Sequence, residues 1–234
     1  MKKNILVTGA SRGIGYAIAK KLSNQADKLI LVARTEKSLQ KLKKEFPKAL
    51  NFQIDLGEEK EIEKMLIEIE EKVKGLDVLV NNAGSYFSES FKDTKSSEFD
   101  KLYAVHMRAP FLLINKLLPL LKKSKSPIVV NISSASSFAR FRTESIYASV
   151  KSGLTALTDV LREELQNYNI RFTTIHPYGV NTWNASNPED LLRTEDIAEL
   201  IGFIINAHPN CQIQRVDLSN TKQWRQGTPP WIKD

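Results

Sequence analysis

The chain has 234 residues, 41% of them hydrophobic and 26% charged, with a formal net charge of +7 and a single cysteine, Cys211. That length suits one large α/β domain with a sizeable core, and the lone cysteine excludes an internal disulfide and fits a reducing, cytoplasmic setting. The basic residues are dispersed, with Lys41, Lys43 and Lys44 on one amphipathic stretch and Lys122, Lys123 and Lys125 at the end of another; they read as solvated faces rather than a nucleic-acid surface, and no segment approaches the about 18 apolar residues of a membrane span.

Met1-Lys2-Lys3 opens like a signal peptide, but the apolar run after it stops at Thr8-Gly9, too short for such a segment. Strand-like runs then recur at 5–7, 29–32, 52–54, 78–80, 128–132, 172–175 and 212–216. Helical patterns separate them. The clearest spans 58–74, with Ile62, Met65, Leu66, Ile69 and Val73 on one stripe and glutamates around the rest. That acidic density reads as a solvated face, not as a metal site. Near-continuous apolar strands alternating with helices predict a parallel sheet of about seven strands with helices on both faces, a doubly wound α/β fold. No repeat or linker divides the chain, so a single domain is expected over 1–234, with 221–234 as a C-terminal tail.

Two local patterns carry chemistry. The first is Thr8-Gly9-Ala10-Ser11-Arg12-Gly13-Ile14-Gly15, placed directly after the apolar run Ile5-Leu6-Val7 and before an amphipathic stretch. Strand, glycine turn and helix start in that order let backbone approach a ligand closely and aim free N–H groups at a pyrophosphate. The second is Tyr147 and Lys151, four apart and so on one face of a helix. A free tyrosine, with a pKa of about 10, is too weak an acid for neutral pH. A neighbouring lysine cation is expected to stabilise the phenolate and pull that value down. Ser134 lies where the apolar run 128–132 breaks into small polar residues, and its hydroxyl could bond the same oxygen that Tyr147 protonates.

Together with Asn81-Asn82-Ala83-Gly84, these motifs resemble the single-domain branch of the short-chain dehydrogenase/reductase family over residues 3–218. The resemblance implies a Rossmann fold and a nicotinamide-dependent oxidoreductase. It places Tyr147 as the acid, Ser134 as the group that orients the substrate oxygen, and Lys151 on both the nicotinamide ribose and the tyrosine. Gly9, Ser11, Arg12, Gly13, Ile14 and Gly15 would line the pyrophosphate. Asp55 and Leu56 would meet the adenine, and Asn82, Ala83 and Gly84 the adenosine. Pro177, Val180 and Thr182 would touch the nicotinamide amide. An acidic residue at the end of the second strand would hold the ribose hydroxyls of NAD; this chain has Arg34 there and Arg12 in the turn, which favours the 2′-phosphate of NADP(H).

Three departures from the family pattern stand out. His106 occupies the place of an asparagine whose backbone carbonyl holds a relay water; it reads either as packing within its helix or as a site residue. Tyr178 replaces the first glycine of Pro-Gly-x-Val-x-Thr, which puts the local backbone in question. Only residues 183–193 separate Thr182 from the next helix start, a short lid that suggests an open mouth. Phe138, Phe141, Tyr178 and Trp183 are candidates for an aromatic wall, and Arg140 and Arg142 for contact with an acidic substrate. The chain also lacks the family's frequent Gly-Gly ending. The expected activity is an NADPH-dependent carbonyl reductase acting on a small-molecule ketone or aldehyde. A 3-oxoacyl thioester reductase and a dinucleotide-binding regulator with little turnover are the alternatives. By analogy, a homodimer or homotetramer would form through long helices near 100–122 and 147–167.

Overall fold

The computed structural model describes residues 2–182 and 188–222. Seven strands form one sheet: β1 (Lys3–Thr8), β2 (Ala26–Ala33), β3 (Leu50–Gln53), β4 (Val78–Asn81), β5 (Ile128–Ile132), β6 (Arg171–Pro177) and β7 (Arg215–Leu218). Every neighbouring pair is parallel, in the order β3-β2-β1-β4-β5-β6-β7. The alternation of side chains sorts each strand onto two cores. Ile5 and Val7 of β1, and Ile128 and Val130 of β5, face the cluster closed by Ile18 and Ile201. Leu6 and Val129 face the opposite cluster, closed by Ile62, Met65, Leu113 and Leu117. The helices supplying those residues are α1 (Gly13–Leu22) and α8 (Thr194–Asn206) on one face, α3 (Glu59–Lys72) and α5 (Ala109–Leu121) on the other. The expected doubly wound fold is therefore the observed one. Strand order reverses between β1 and β4, and a crevice opens at the carboxyl ends of the strands there.

The stripe expected on α3 is buried in full, from Ile62 to Val73. One expectation needs correction. The last strand runs from 215 to 218 instead of 212 to 216. The side chain of Gln212 occupies the backbone groups of β6, accepting from Phe172 N–H at 3.3 Å and donating to Phe172 O at 2.7 Å, so ladder pairing begins only at Thr174 and Arg215. The helix expected across 100–122 is present, with a π turn inside it. It comprises α4 (Ser96–Tyr103), a π turn over Ala104–Arg108, and α5. A π turn inserts one extra residue into the helical ladder and rotates the helix beyond it, a feature that gathers at functional sites. Here it carries His106 into the interior, 3% exposed.

Candidate active site

The glycine turn is built by the first strand. Gly9 and Gly13 have φ of 65° and 54°, the left-handed region that glycine adopts without strain. A Cβ on Gly9 would come within 2.8 Å of Ala83 Cα, so the turn and the end of β4 are pressed together. Thr8 pins that approach: its Oγ1 accepts the N–H groups of Asn82 and Ala83, both at 3.0 Å, and Asn82 Nδ2 donates to Thr8 O at 2.8 Å. Helix α1 starts behind the turn with Arg12 as its N-cap. No side chain caps it, and its first turn carries no acidic residue. Its free N–H groups and positive dipole end suit a bound anion.

From this turn a cleft of about 640 Å³ runs along the carboxyl edge of the sheet. All residues expected from the sequence to hold a dinucleotide line it. One end has Arg12, Arg34, Asp55 and Leu56; the glycine turn and Asn82, Ala83 and Gly84 form the middle; Pro177, Val180 and Thr182 lie toward Ser134, Tyr147 and Lys151 at the other. Arg12 and Arg34 are exposed. Ser38 of α2 (Glu36–Glu45) adds a hydroxyl beside them, a contributor that the sequence did not announce. The uncapped helix start and the glycine backbone fit the pyrophosphate of a nicotinamide dinucleotide.

Tyr147 and Lys151 rise from the first turns of α7 (Ser145–Glu164), and the ammonium nitrogen lies 5.8 Å from the centre of the phenol ring. Tyr147 packs against Leu102, Ile146 and Val150. Lys151 is 4% exposed and donates to Ile132 O at 2.8 Å. Its expected electrostatic partnership needs correction. Burial raises the Tyr147 phenol to about 12, while the Ser134 hydroxyl lowers it and Glu144 raises it further. Burial also depresses Lys151 to about 7. Removing both groups from water penalises phenolate and ammonium alike, and burial is the leading cause of each shift. At neutral pH the tyrosine is therefore a proton-bearing donor.

Ser134 is buried in the loop after β5; its hydroxyl donates to Ser136 Oγ at 3.0 Å and accepts from Ser136 N–H at 3.2 Å. Ser133, its neighbour, turns the other way and donates to Lys151 O at 3.1 Å. Thr155 Oγ1 lies 3.0 Å from Ser133 Oγ and 3.1 Å from His176 Nε2, and His176 Nδ1 lies 3.1 Å from Asp217 Oδ1. This chain of contacts ties the lysine-bearing turn to β6 and β7. His106 stands edge-on to Tyr147, ring centres 5.8 Å apart, and its Nε2 accepts Ser85 N–H at 3.1 Å. That bond places the ring proton on Nδ1, which finds no partner among the described residues. Burial, then the nearby Lys151, hold His106 well below the usual histidine range, so it is neutral.

Sequence reasoning missed Tyr86 and Glu144, which also line the cleft. Neither belongs to the family motifs; Glu144 stands three residues before Tyr147 at the start of its helix, whereas only the fold brings Tyr86 there. Of the proposed aromatic wall, Phe141 and Tyr178 line the cleft, whereas Phe138 packs behind them against His176 and Tyr178. Arg140 and Arg142 are exposed and outside the cleft lining. Tyr178 keeps an ordinary backbone, with its N–H on Leu218 O at 2.8 Å, so replacing glycine there imposes no left-handed strain. Trp183 and the tail beyond 222 lie outside the described residues.

The sequence pattern described as short chain dehydrogenase matches residues 3–190. The chain belongs to that family. An uncharacterised oxidoreductase of Staphylococcus epidermidis is 28% identical to this short-chain dehydrogenase over 93% of the present chain and 96% of its own. A short-chain dehydrogenase from Streptomyces avermitilis superposes with a TM-score of 0.85 at 25% identity, covering 94% of this chain and 89% of that one. A metagenomic short-chain oxidoreductase solved with NADP gives 0.83 at 28% identity, covering 94% and 98%. As in the family pattern, the serine, tyrosine and lysine meet at one end of the cleft.

Proposed function

We propose that this chain is an NADPH-dependent carbonyl reductase. One observation carries the reading: a half-buried, proton-bearing Tyr147 meets Ser134 and Lys151 at one end of a cleft whose other end is lined by Arg12 and Arg34. The NADP-bound metagenomic relative supports the same cofactor. The N–H groups at the start of α1 would hold the pyrophosphate, and the two guanidinium groups the 2′-phosphate. Asp55, Leu56 and the 82–84 backbone would hold the adenosine, and Lys151, Pro177, Val180 and Thr182 the nicotinamide half. When bound, the reduced cofactor supplies hydride to a carbonyl carbon. The protein supplies the rest. Ser134 orients the carbonyl oxygen, Tyr147 Oη–H donates its proton to that oxygen, and Lys151 returns a proton from solvent to the tyrosine. Phe141 and Tyr178 offer an apolar wall to the substrate, and His106 braces the far side of Tyr147. Phe111 of α5 and Val160 of α7 are exposed apolar residues that support the expected homo-oligomer, which sedimentation measures.

Purified protein is expected to oxidise NADPH with some member of a ketone, aldehyde, quinone and oxoacyl panel, and Tyr147→Phe to abolish it. Tight NADPH binding without turnover across the panel would instead identify a dinucleotide-binding regulator. Arg34→Asp is expected to weaken NADPH binding at least tenfold more than NADH, the loss of a charge-assisted bidentate contact. Equal losses would refute the cofactor assignment.

A further inference from the structure

Glu144 is a carboxylate that the proposed reaction does not use, yet it is 1% exposed and lines the substrate end of the cleft. It stands at the N-cap of α7, three residues before Tyr147, but its side chain does not cap the helix. Its Oε1 accepts the Tyr86 hydroxyl at 2.7 Å, and its Oε2 has no partner among the described residues. Tyr86 in turn sets its ring edge-on to Tyr147, centres 5.4 Å apart at 74°. One aromatic ring thus touches the carboxylate through its hydroxyl and the catalytic phenol through its ring.

The segment carrying Tyr86 is strapped in place. Ser85 N–H reaches His106, the Ser88 and Thr143 hydroxyls lie 2.7 Å apart, and Glu89 N–H donates to Thr143 O at 2.8 Å. Thr143 itself sits at φ 63°, a strained conformation for a β-branched residue. The strap therefore holds the 143–144 turn against its local preference, and that turn sets the position of the carboxylate. A wall alone would not need one, because a carboxylate taken out of water with a single hydrogen-bond donor is costly where an apolar side chain is not.

The groups that face Tyr147 are Glu144 and Lys151 from α7, Tyr86 from the strap, His106 from the π turn and Ser134 from the loop after β5. His106 is neutral, and Tyr86 is a phenol whose proton is committed to the carboxylate. Negative charge at Glu144 opposes phenolate at Tyr147, against the pull of Ser134 and of Lys151 when it is protonated.

Building on the reductase reading, we propose that Glu144 is a positioning residue. Through its charge and its bond to Tyr86 it raises the pH at which the Tyr147 phenol gives up its proton, and so sets where the alkaline limb of alcohol oxidation begins. In carbonyl reduction the phenolic O–H bond breaks as the substrate oxygen takes the proton. The carbonyl π bond opens as its carbon gains a C–H bond, with both electrons drawn from a reduced nicotinamide. The tyrosinate is reprotonated from solvent by way of Lys151. Alcohol oxidation needs the tyrosinate first, so its rate rises with pH along the same ionisation.

The test tracks Tyr147 directly, in cofactor-free protein carrying tyrosine labelled with carbon-13 at Cζ, its resonance assigned with Tyr147→Phe. Glu144→Gln is expected to lower the ionisation midpoint by about one pH unit, about a tenfold gain in phenolate at pH 10–11. Glu144→Asp should restore most of the difference, and the alkaline limb of NADP-dependent alcohol oxidation should move by the same amount. A folded Glu144→Gln protein with an unmoved midpoint overturns the inference. If that variant does not fold, Tyr86→Phe decides: stripping the donor from the carboxylate raises the Tyr147 midpoint, and an unchanged value overturns the idea equally. Because the titration needs no substrate, a chain that turns over nothing would sink the reductase reading while still deciding this one.

Discussion

Lys151 is placed at a cost to the fold, and replacing it with methionine measures that cost. Burial depresses its ammonium from 10.5 to about 7. At about 1.4 kcal/mol per pH unit, a ceiling of about 5 kcal/mol separates the buried cation from the same cation in the unfolded chain. Proton counting gives the sign. Between about pH 7 and 10.5 the unfolded chain binds the proton that the folded chain sheds, so stability rises with pH through that window. Below pH 7 both states carry the charge and the whole penalty is present. Above about 10.5 neither does. Lys151→Met keeps the length and packing but gives up the bond to Ile132 O, a loss of about 1 kcal/mol. The variant should therefore be about 2–4 kcal/mol more stable than the parent near pH 6.5, with the advantage shrinking to nothing by pH 10. Equilibrium urea unfolding of the cofactor-free protein at several pH values reads this directly, while the proposed carbonyl reduction should be lost. Equal stability at pH 6.5, or a difference that ignores pH, would refute the reasoning that burial dominates this site.

Gly84 and His106 form a second testable pair, because a Cβ on Gly84 would be driven into the imidazole ring. Gly84→Ala should lower stability by about 1–3 kcal/mol, and combining it with His106→Ala should recover part of that loss in a double-mutant cycle of thermal melts; strictly additive losses would mean the ring moves aside freely. His176 is held at about 4, by burial first and then by the Arg215 charge. Its folded value lies below the unfolded one of about 6.5, so the stability it permits is complete above pH 6.5 and is lost as pH falls toward 4. His176→Gln should flatten the fall in urea midpoint across that window, and a parallel fall in both proteins would contradict it.

The fold was legible because it is written in short-range periodicity. Ile5, Leu6 and Val7 alternate between two cores, and four apolar positions of α3, with Val73 just after it, fall on one stripe. The glycine turn was legible for a different reason: positive φ and close backbone approach leave glycine as the residue that fits, so the requirement shows in the letters. Edge strand β7 was misplaced because a side chain, Gln212, usurped backbone pairing that no periodicity records. Tyr86 and Glu144 were invisible because their meeting depends on a strap between two loops far apart in sequence. The error over Tyr147 and Lys151 had another source. Spacing showed that two side chains share a helix face, but not how much solvent surrounds them, and desolvation opposes both charged forms. Leu102, Ile146 and Val150 close around the tyrosine, and in that setting each group is set first by the solvent it lacks and only then by its neighbour. A motif therefore identifies which groups meet, while their proton occupancy is decided by the whole wall around them. That is why a carboxylate outside the motif, Glu144, enters the acid–base balance of the residue at its centre.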